Sequence, residues 1–291
     1  MAQILDGSAL SKTIREEVQA KIQAEVAAGH RAPGLAVLLV GNDPASRVYV
    51  NQKKKSCGLA GIDSRELTLP ETASQDEVVQ TIRQLNQDKA INGILVQLPL
   101  PKHMNALQVM EEVSPEKDVD GFHSRNVGFL TLGRGIYVPC TPLGVIEILK
   151  RYKIPISGKK ALVIGRSNIV GKPMALLLLQ ESATVTIAHS KTPDLQQEIG
   201  RADILVASLG KPKFVKGAWV KEGAVVIDVG INSVPDATAK TGHRLLGDVE
   251  FEEASKRASW ITPVPGGVGP MTIAMLLNNT LQASIRQRTG A

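Results

Sequence analysis

The sequence predicts an α/β protein of two domains, with a parallel sheet in each. Three observations lead to this fold class. The 291 residues suffice for two domains of ordinary size. Short apolar runs alternate with segments of helical periodicity, as in successive βαβ units. Only 3% of the residues are aromatic while 43% are hydrophobic, so aliphatic side chains must form the core, which is typical of buried parallel strands.

Helices and strands are predicted to alternate over the first hundred residues. Asp43 and Pro44 follow an apolar run and provide an N-cap and a first helical residue. Pro99 and Pro101 end a later buried strand, because proline cannot continue a ladder. The predicted elements are a helix over 8–28, a strand over 34–40, a helix from Asp43 to about Gly58 or Gly61, a strand near 64–68, a helix near 74–87 and a strand over 93–97.

A second series of elements follows the segment 114–142, which is rich in Gly, Pro and Asp and poor in periodicity. We interpret this segment as a long functional connection. The elements predicted beyond it are a helix over 142–152, a strand over 160–164, a helix over 171–181, strands over 183–187, 204–207 and 224–228, a loop over 262–270 and a final helix over 271–287.

The turn from Gly165 to Gly171 follows a predicted strand and opens a helix, which is the setting of a dinucleotide site. Glycine lets the backbone approach a phosphate, and the helix N-terminus favours the anion. NAD enzymes usually carry a carboxylate at the end of the next strand, where Ser190 and Lys191 stand here. Together with Arg166, these residues favour NADP. The alternative is that Arg166 and Lys191 are solvated surface charges.

Tyr49 and Lys53 are four residues apart in the second predicted helix and therefore share a face, which Ser46 joins. Lys54 and Lys55 point elsewhere. A lysine beside a phenol can transfer protons if burial or nearby positive charge lowers its pKa. The alternative is a solvated basic face.

Two further polar residues stand where open α/β sheets bind ligands. Gln97 ends an otherwise apolar strand, and the carboxyl ends of such strands border the binding site. Asp120 lies in the long connection, where a carboxylate could accept two N–H groups of a planar heterocycle. The alternatives are a strand-end hydrogen bond for Gln97 and an Asx turn at Asp118 or Asp120.

Charge and composition argue against several classes of partner. The net charge is +6, but the basic residues are scattered and no basic stripe with aromatic residues is present, so we expect anionic metabolites and no nucleic acid. The five histidines form no paired metal motif, so we expect no metal. No apolar run approaches a membrane span, and two distant cysteines fit a reducing compartment, so we expect a cytoplasmic protein without membrane contact.

Along nearly its whole length, the chain resembles the bifunctional methylenetetrahydrofolate dehydrogenase/methenyltetrahydrofolate cyclohydrolase family. The motifs that carry the resemblance are Tyr49-Val-x-x-Lys53, Gly93-Ile-Leu-Val-Gln97-Leu-Pro-Leu-Pro101, Pro115-x-Lys-Asp-Val-Asp-Gly121, Pro139-Cys-Thr-Pro142, Gly165-Arg-Ser-x-x-Val-Gly-x-Pro173, Asp228-Val-Gly-Ile-Asn232, Gly247-Asp-Val249 and Thr262-Pro-Val-Pro-Gly-Gly-Val-Gly-Pro-Met-Thr272.

The resemblance implies two reactions on tetrahydrofolate one-carbon derivatives. NADP-dependent oxidation of 5,10-methylenetetrahydrofolate gives the methenyl form, and hydrolysis then gives 10-formyltetrahydrofolate. Such chemistry belongs to one-carbon metabolism, which serves purine, methionine and histidine biosynthesis.

The resemblance also assigns roles to residues. Lys53 is the general acid/base of the hydrolytic step, Tyr49 stacks on or borders the folate, and Gln97 tunes Lys53. Asp120 holds the pterin, and the loop with Pro265, Gly266 and Gly267 borders the folate. The implied NADP contacts are Gly165, Arg166, Ser167, Ser190 and Ile231.

The implied architecture is a folate-binding catalytic domain of residues 1–140 and 270–291 and a Rossmann-like NADP-binding domain of residues 141–269, with a cleft between them. A homodimer through the nucleotide-binding domains is expected. The alternatives are a dehydrogenase without the hydrolytic step, against which the intact Tyr49, Lys53 and Gln97 argue, and a non-catalytic NADP-binding sensor.

Overall fold

The structure is a computed structural model that describes residues 1–239 and 242–290. The elements of its first half are β1 (Gln3–Ile4), α1 (Gly7–Ala27), β2 (Gly34–Val40), α2 (Pro44–Ala60), β3 (Asp63–Leu69), α3 (Gln75–Gln87), β4 (Gly93–Val96), α4 (Ala106–Glu111), α5 (Ser124–Thr131) and α6 (Cys140–Arg151). Those of its second half are β5 (Lys160–Ile164), α7 (Gly171–Gln180), β6 (Thr184–Ala188), α8 (Leu195–Ile199), β7 (Ile204–Ala207), a 3-10 turn (Gly217–Trp219), β8 (Val225–Asp228), β9 (Asn232–Pro235), β10 (His243–Leu246), α9 (Phe251–Arg257), β11 (Trp260–Ile261) and α10 (Val268–Thr289).

The described chain forms two compact units. Unit 1 comprises Met1–Ser11 and Thr141–Thr272, and unit 2 comprises Lys12–Cys140 and Ile273–Ala291.

Unit 2 contains a parallel sheet of three strands in the order β3-β2-β4. Every residue of β2 is buried, as its unbroken apolar run predicts for a central strand. Helices α2 and α3 connect the three strands, and side chains cap the start of each helix. The Asp43 side chain caps α2 by accepting from the Ser46 N–H, and Ser74 and Glu77 form a capping box on α3.

Unit 1 contains a parallel sheet of six strands in the order β1-β11-β8-β7-β5-β6. Strand β5 pairs with β6 on one side and with β7 on the other, so the direction of chain progression reverses at β5. This reversal is the switch point at which open parallel sheets bind ligands. The short strands β9 and β10 form a separate antiparallel pair.

The predicted strands 34–40, 160–164 and 204–207 are confirmed residue for residue. The interpretation of 114–142 as an irregular connection is wrong in part, because α5 lies within it. The sequence of α5 has little apolar periodicity, and the helix begins where the His123 ring accepts from the Arg125 N–H. The last helix begins at Val268, three residues earlier than predicted, since Pro270 is tolerated in a first helical turn.

The sequence analysis did not predict the shortest elements, because so few residues show no helical or strand periodicity. These elements are α4, α8, α9, β1, β9, β10 and β11. Within the residues that the structure describes, no helix has the length and apolar character needed to cross a membrane.

Candidate active site

Lys53 and Gln97 meet in unit 2. Lys53 Nζ donates to Gln97 Oε1 at 3.0 Å, and Gln97 Nε2 donates to the Leu98 carbonyl at 2.7 Å. Gln97 follows β4 directly, and its own N–H donates to the Leu38 carbonyl at 2.9 Å, which continues the pairing with β2. A central strand thus fixes Gln97, and Gln97 in turn fixes the position of the ammonium group.

Tyr49 and Lys53 lie one turn apart on α2, as their spacing predicts. The Tyr49 side chain is 38% exposed, and partial burial raises its pKa. The next lysine is directed elsewhere: Lys54 Nζ lies 3.5 Å from Glu66 Oε2 and is 59% exposed. The structure therefore singles out one lysine of the triplet as the partner of Gln97.

Asp120 belongs to the same cluster. Burial raises the pKa of its carboxyl, and the nearby charge of Lys53 acts in the opposite direction. The Cys140 thiol lies next to this carboxyl and donates to the Val119 carbonyl at 3.5 Å. Burial also raises the pKa of Cys140 well above its usual value, as does the neighbouring Asp120 carboxylate, so the thiol stays protonated and is no nucleophile.

The segment that carries Asp120 lies alongside β4. The Ile94 N–H donates to the Lys117 carbonyl at 2.7 Å, and a Cβ on Gly93 would lie 2.7 Å from Val119 Cγ1. Glycine at position 93 therefore permits the close approach that brings Asp120 toward the end of β4, where Gln97 stands.

Two side chains hold this segment: Asp118, which the sequence analysis considered only for an Asx turn, and Asn279, to which it gave no role. Asp118 accepts from the Phe122 and His123 N–H groups at 3.2 and 2.9 Å and from Asn126 Nδ2 at 2.8 Å. Asn279 on α10 is buried and donates to the Val119 carbonyl at 2.9 Å. The one feature of the sequence that could have indicated Asn279 is its position next to the apolar run of the last helix.

The predicted dinucleotide turn lies in unit 1, at the carboxyl end of β5. Gly165 has φ +128°, a conformation that favours glycine, and a Cβ on it would lie 2.5 Å from the Ser208 carbonyl oxygen. A Cβ on Gly171 would lie 2.2 Å from the Gly165 carbonyl oxygen. Glycine is therefore required at both positions. At Gly165 the turn lies against Ser208, and at Gly171 the start of α7 lies against the turn.

The other predicted NADP contacts stand around the same edge of the sheet. Ser167 Oγ accepts from the N–H groups of Val170 and Gly171 at 3.1 and 3.2 Å and so closes the turn. Arg166 and Ser190 are exposed. Ile231 follows β8 and is 42% exposed. Arg166 precedes α7 in the chain, and an exposed guanidinium suits a phosphate.

Behind this edge lie two buried carboxylates that the sequence analysis left without a role. Asp228 accepts from the N–H groups of Gly230, Asp248 and Val249 at 2.9–3.0 Å. Burial raises its pKa to about 7. Asp248 is fully buried. Both residues belong to motifs that are visible in the sequence. Their contact could not be predicted, because they lie 20 residues apart.

The loop with Pro265, Gly266 and Gly267 belongs to unit 1 as well. The Gly266 carbonyl accepts from the Ser8 N–H at 2.9 Å, and a Cβ on Gly7 would lie 1.8 Å from the Gly267 carbonyl oxygen. The loop is thus held against the start of α1. Throughout the described residues, no group of three or more His, Cys, Asp or Glu side chains is arranged to hold a metal ion.

Comparison with known protein families places both parts of the chain. Residues 5–120 match the model of the tetrahydrofolate dehydrogenase/cyclohydrolase catalytic domain, and residues 139–288 match that of the family's NAD(P)-binding domain. The chain belongs to the tetrahydrofolate dehydrogenase/cyclohydrolase family. The family predicted from the motifs is therefore confirmed, as are the two-domain α/β fold class and an enzyme with both activities.

Individual members of the family agree over the full length. The bifunctional protein FolD of Geotalea daltonii is 54% identical over 99% of this chain and 100% of its own. The FolD dehydrogenase/cyclohydrolase of Campylobacter jejuni is 48% identical, with a TM-score of 0.93 over 99% of this chain and 100% of its own. The Trypanosoma brucei enzyme, solved with NADP and an inhibitor, is 41% identical, with a TM-score of 0.94 over 99% of this chain and 98% of its own.

Proposed function

We propose that the protein oxidises 5,10-methylenetetrahydrofolate with NADP⁺ and then hydrolyses the methenyl product to 10-formyltetrahydrofolate. In the first step a hydride passes from the one-carbon bridge to the nicotinamide, which yields NADPH and a cationic methenyl bridge. In the second step water adds to that carbon, a proton is released and the ring opens. The observation that carries the proposal is the 3.0 Å hydrogen bond between Lys53 and Gln97 in a chain of this family.

Lys53 is assigned the proton transfers of the hydrolytic step. The methenyl carbon is already electrophilic, so the enzyme has to position a water molecule and a proton acceptor. Gln97 orients the Lys53 amine, while the partly exposed Tyr49 ring borders the folate. Asp120 holds the pterin through N–H groups, which a carboxylate accepts in pairs.

NADP is assigned to the carboxyl edge of the sheet in unit 1. The pyrophosphate meets the turn of Gly165 and the start of α7, Ser167 and Ile231 border the cofactor, and Arg166 and Ser190 receive the 2′-phosphate. The match of residues 139–288 to an NAD(P)-binding domain and the NADP in the Trypanosoma brucei relative support this cofactor.

We assign folate binding to a domain of residues 1–140 and 270–291 and NADP binding to residues 141–269, with the loop of Pro265, Gly266 and Gly267 beside the folate. The two family models, which match 5–120 and 139–288, support this division of labour.

A homodimer through the nucleotide-binding domains and a cytoplasmic role in purine, methionine and histidine biosynthesis complete the proposal. Strand β6 ends the order of the six-stranded sheet, and three of its five residues are exposed, which supports pairing at this edge. Two buried free cysteines suit a reducing compartment.

Product analysis tests the proposed function. The purified protein is incubated with 5,10-methylenetetrahydrofolate and either NADP⁺ or NAD⁺, and reduced nucleotide is followed by absorbance. Methenyl and formyl products are then separated at neutral pH against an enzyme-free methenyl control. We expect NADPH and formyl product above that control. Methenyl product that decays at the control rate would reveal a dehydrogenase alone, and absence of reduced nucleotide with either cofactor would refute the first reaction.

A further inference from the structure

The Asp248 carboxylate accepts four hydrogen bonds from unit 1. Oδ2 accepts from the N–H groups of Leu209 and Gly210 at 2.5 and 3.0 Å, and Oδ1 accepts from the Lys211 N–H at 2.8 Å and from Asn232 Nδ2 at 2.9 Å. Three consecutive backbone N–H groups thus converge on one carboxylate and form a nest of the kind that binds anions. Because Asp248 itself fills this nest, the nest serves as an internal anchor and leaves no room there for a phosphate.

The anchored loop lies at the switch point of the sheet. Ser208, which precedes the nest, donates from its N–H to the Ile164 carbonyl at 2.9 Å, and its carbonyl oxygen lies 2.5 Å from where a Cβ of Gly165 would stand. The loop after β7 therefore directly borders the turn after β5. A shift of the loop would change the shape of the crevice that open parallel sheets use for ligands.

Asp248 also holds the segment after β8. A Cβ on Gly230 would lie 2.3 Å from Asp248 Oδ1, so glycine at this position permits the approach of the carboxylate. Asn232, which donates to Asp248, follows Ile231 directly, so both neighbours of Ile231 lie against this carboxylate. One side chain that is 0% exposed thus connects the loops after two adjacent strands.

We propose that Asp248 is a positioning residue for the cofactor: its carboxylate holds residues 209–211 and Asn232 in place, so that the crevice beside Gly165 has its binding shape before NADP arrives. This inference rests on the proposed NADP site. A crevice shaped in advance binds more tightly, because no ordering cost is left for the moment of binding. All four hydrogen bonds that Asp248 accepts lie within unit 1, whereas Lys53 belongs to unit 2, so a change at Asp248 should affect only the dinucleotide.

The test is Asp248→Asn, with Asp203→Asn as matched control. The amide keeps the size of the side chain but turns one acceptor into a donor that faces N–H groups. Asp203 is also a carboxylate of unit 1 that accepts a backbone N–H, from Lys160 at 2.9 Å, but it stands beside the amino ends of the strands. Three quantities are measured for each protein: KM and kcat for NADP⁺, NADP affinity by calorimetry, and hydrolysis of methenyltetrahydrofolate without nucleotide.

We expect Asp248→Asn to raise KM and the dissociation constant for NADP at least tenfold, with hydrolysis within twofold of the parent and with Asp203→Asn unchanged in all three. Unaltered NADP affinity in Asp248→Asn would overturn the inference. So would an equal loss in both variants, or a parallel loss of hydrolysis, since either would indicate general destabilisation.

If Asp248→Asn does not fold, Asn232→Ala decides, because it removes one of the four hydrogen bonds and is expected to raise the NADP dissociation constant about threefold. An unchanged constant in that variant would overturn the inference. A parent that binds no NADP would refute the proposed cofactor site itself, and the parent measurement alone reveals that case.

Discussion

The two units build their sites from different materials. In unit 2 the chemistry resides in side chains: an amine, an amide, a phenol and a carboxylate extend from α2, from the end of β4 and from the segment beside it. In unit 1 the site is mostly backbone: glycines of tight turns and N–H groups that buried carboxylates hold in place. Proton transfer needs functional groups with a suitable pKa, whereas a dinucleotide needs a surface of fixed shape.

The largest effect is expected where a single side chain carries the chemistry. Lys53→Met removes the ammonium group that Gln97 accepts from, so hydrolysis of methenyltetrahydrofolate should fall by about 10²–10⁴ while part of the hydride transfer remains. Both activities are measured separately on the purified variant. Lys54→Met is the control: it removes an exposed neighbour that pairs with Glu66 and should leave hydrolysis within twofold. Full hydrolysis by Lys53→Met would show that Lys53 does not carry the proton transfer assigned to unit 2.

Adding one methyl group tests the backbone side of the comparison. Gly171→Ala places a Cβ 2.2 Å from the Gly165 carbonyl, so the free energy of unfolding should fall by about 1–3 kcal/mol, with weaker NADP binding. Gly58→Ala in α2 meets nothing within 4 Å and should stabilise by about 0.5–1 kcal/mol. Denaturant titration measures both. If Gly171→Ala stabilised the protein as Gly58→Ala is expected to, the close turn would not be essential.

Arg166 is the side chain that unit 1 is predicted to use directly. Arg166→Ala should raise KM for NADP⁺ about tenfold and change KM for NAD⁺ less than twofold, because only NADP carries the 2′-phosphate. Lys172→Ala removes a second exposed cation, in the first turn of α7, which donates to Asn168 at 2.8 Å, and should affect both nucleotides equally. Equal losses with both nucleotides in Arg166→Ala would argue against its assigned role.

The last effect concerns the pH dependence of stability. Burial raises the pKa of Asp228 from 3.8 to about 7, so between these values the folded protein retains a proton that the unfolded chain has lost. The stabilisation is complete at low pH and is lost as pH rises through 7. The stability advantage of the parent over Asp228→Asn should therefore decrease by about 2–3 kcal/mol from pH 5 to 7.5.

Thermal unfolding across that pH range provides the measurement. Asp203 is a suitable control, because Lys221 and the Lys160 N–H lower the pKa of its carboxyl. Its contribution changes only below 3.8, so the parent's advantage over Asp203→Asn should stay constant from pH 5 to 7.5. An advantage over Asp228→Asn that grew with pH would mean that burial does not dominate at this site.

What could be predicted from the sequence depends on how locally each feature is determined. The buried strands 34–40 and 160–164 are uninterrupted apolar runs, and Tyr49 and Lys53 share a face by spacing alone. The helix α5 had no such local signal, and polar capping determines its start.

The unpredicted parts of the site depend on distant partners. Asn279 binds a carbonyl 160 positions earlier, and Asp248 holds amides 37 to 39 positions away. No period or spacing encodes such pairs, because tertiary packing alone brings the two segments together. Conversely, Gly93 and Gly165 were visible as motif residues, but their physical reason, the nearness of Val119 and Ser208, needed the structure.

Strand β1 has a consequence for synthesis on the ribosome. Gln3 and Ile4 are synthesised more than 250 residues before their partners in the sheet, Trp260 and Ile261. At about 5–20 residues per second, this strand waits on the order of 10–50 s before its neighbour exists. The three-stranded sheet of unit 2, by contrast, has all its strands once residue 96 has emerged. Strand β1 therefore stays unpaired while all the residues between it and β11 are translated.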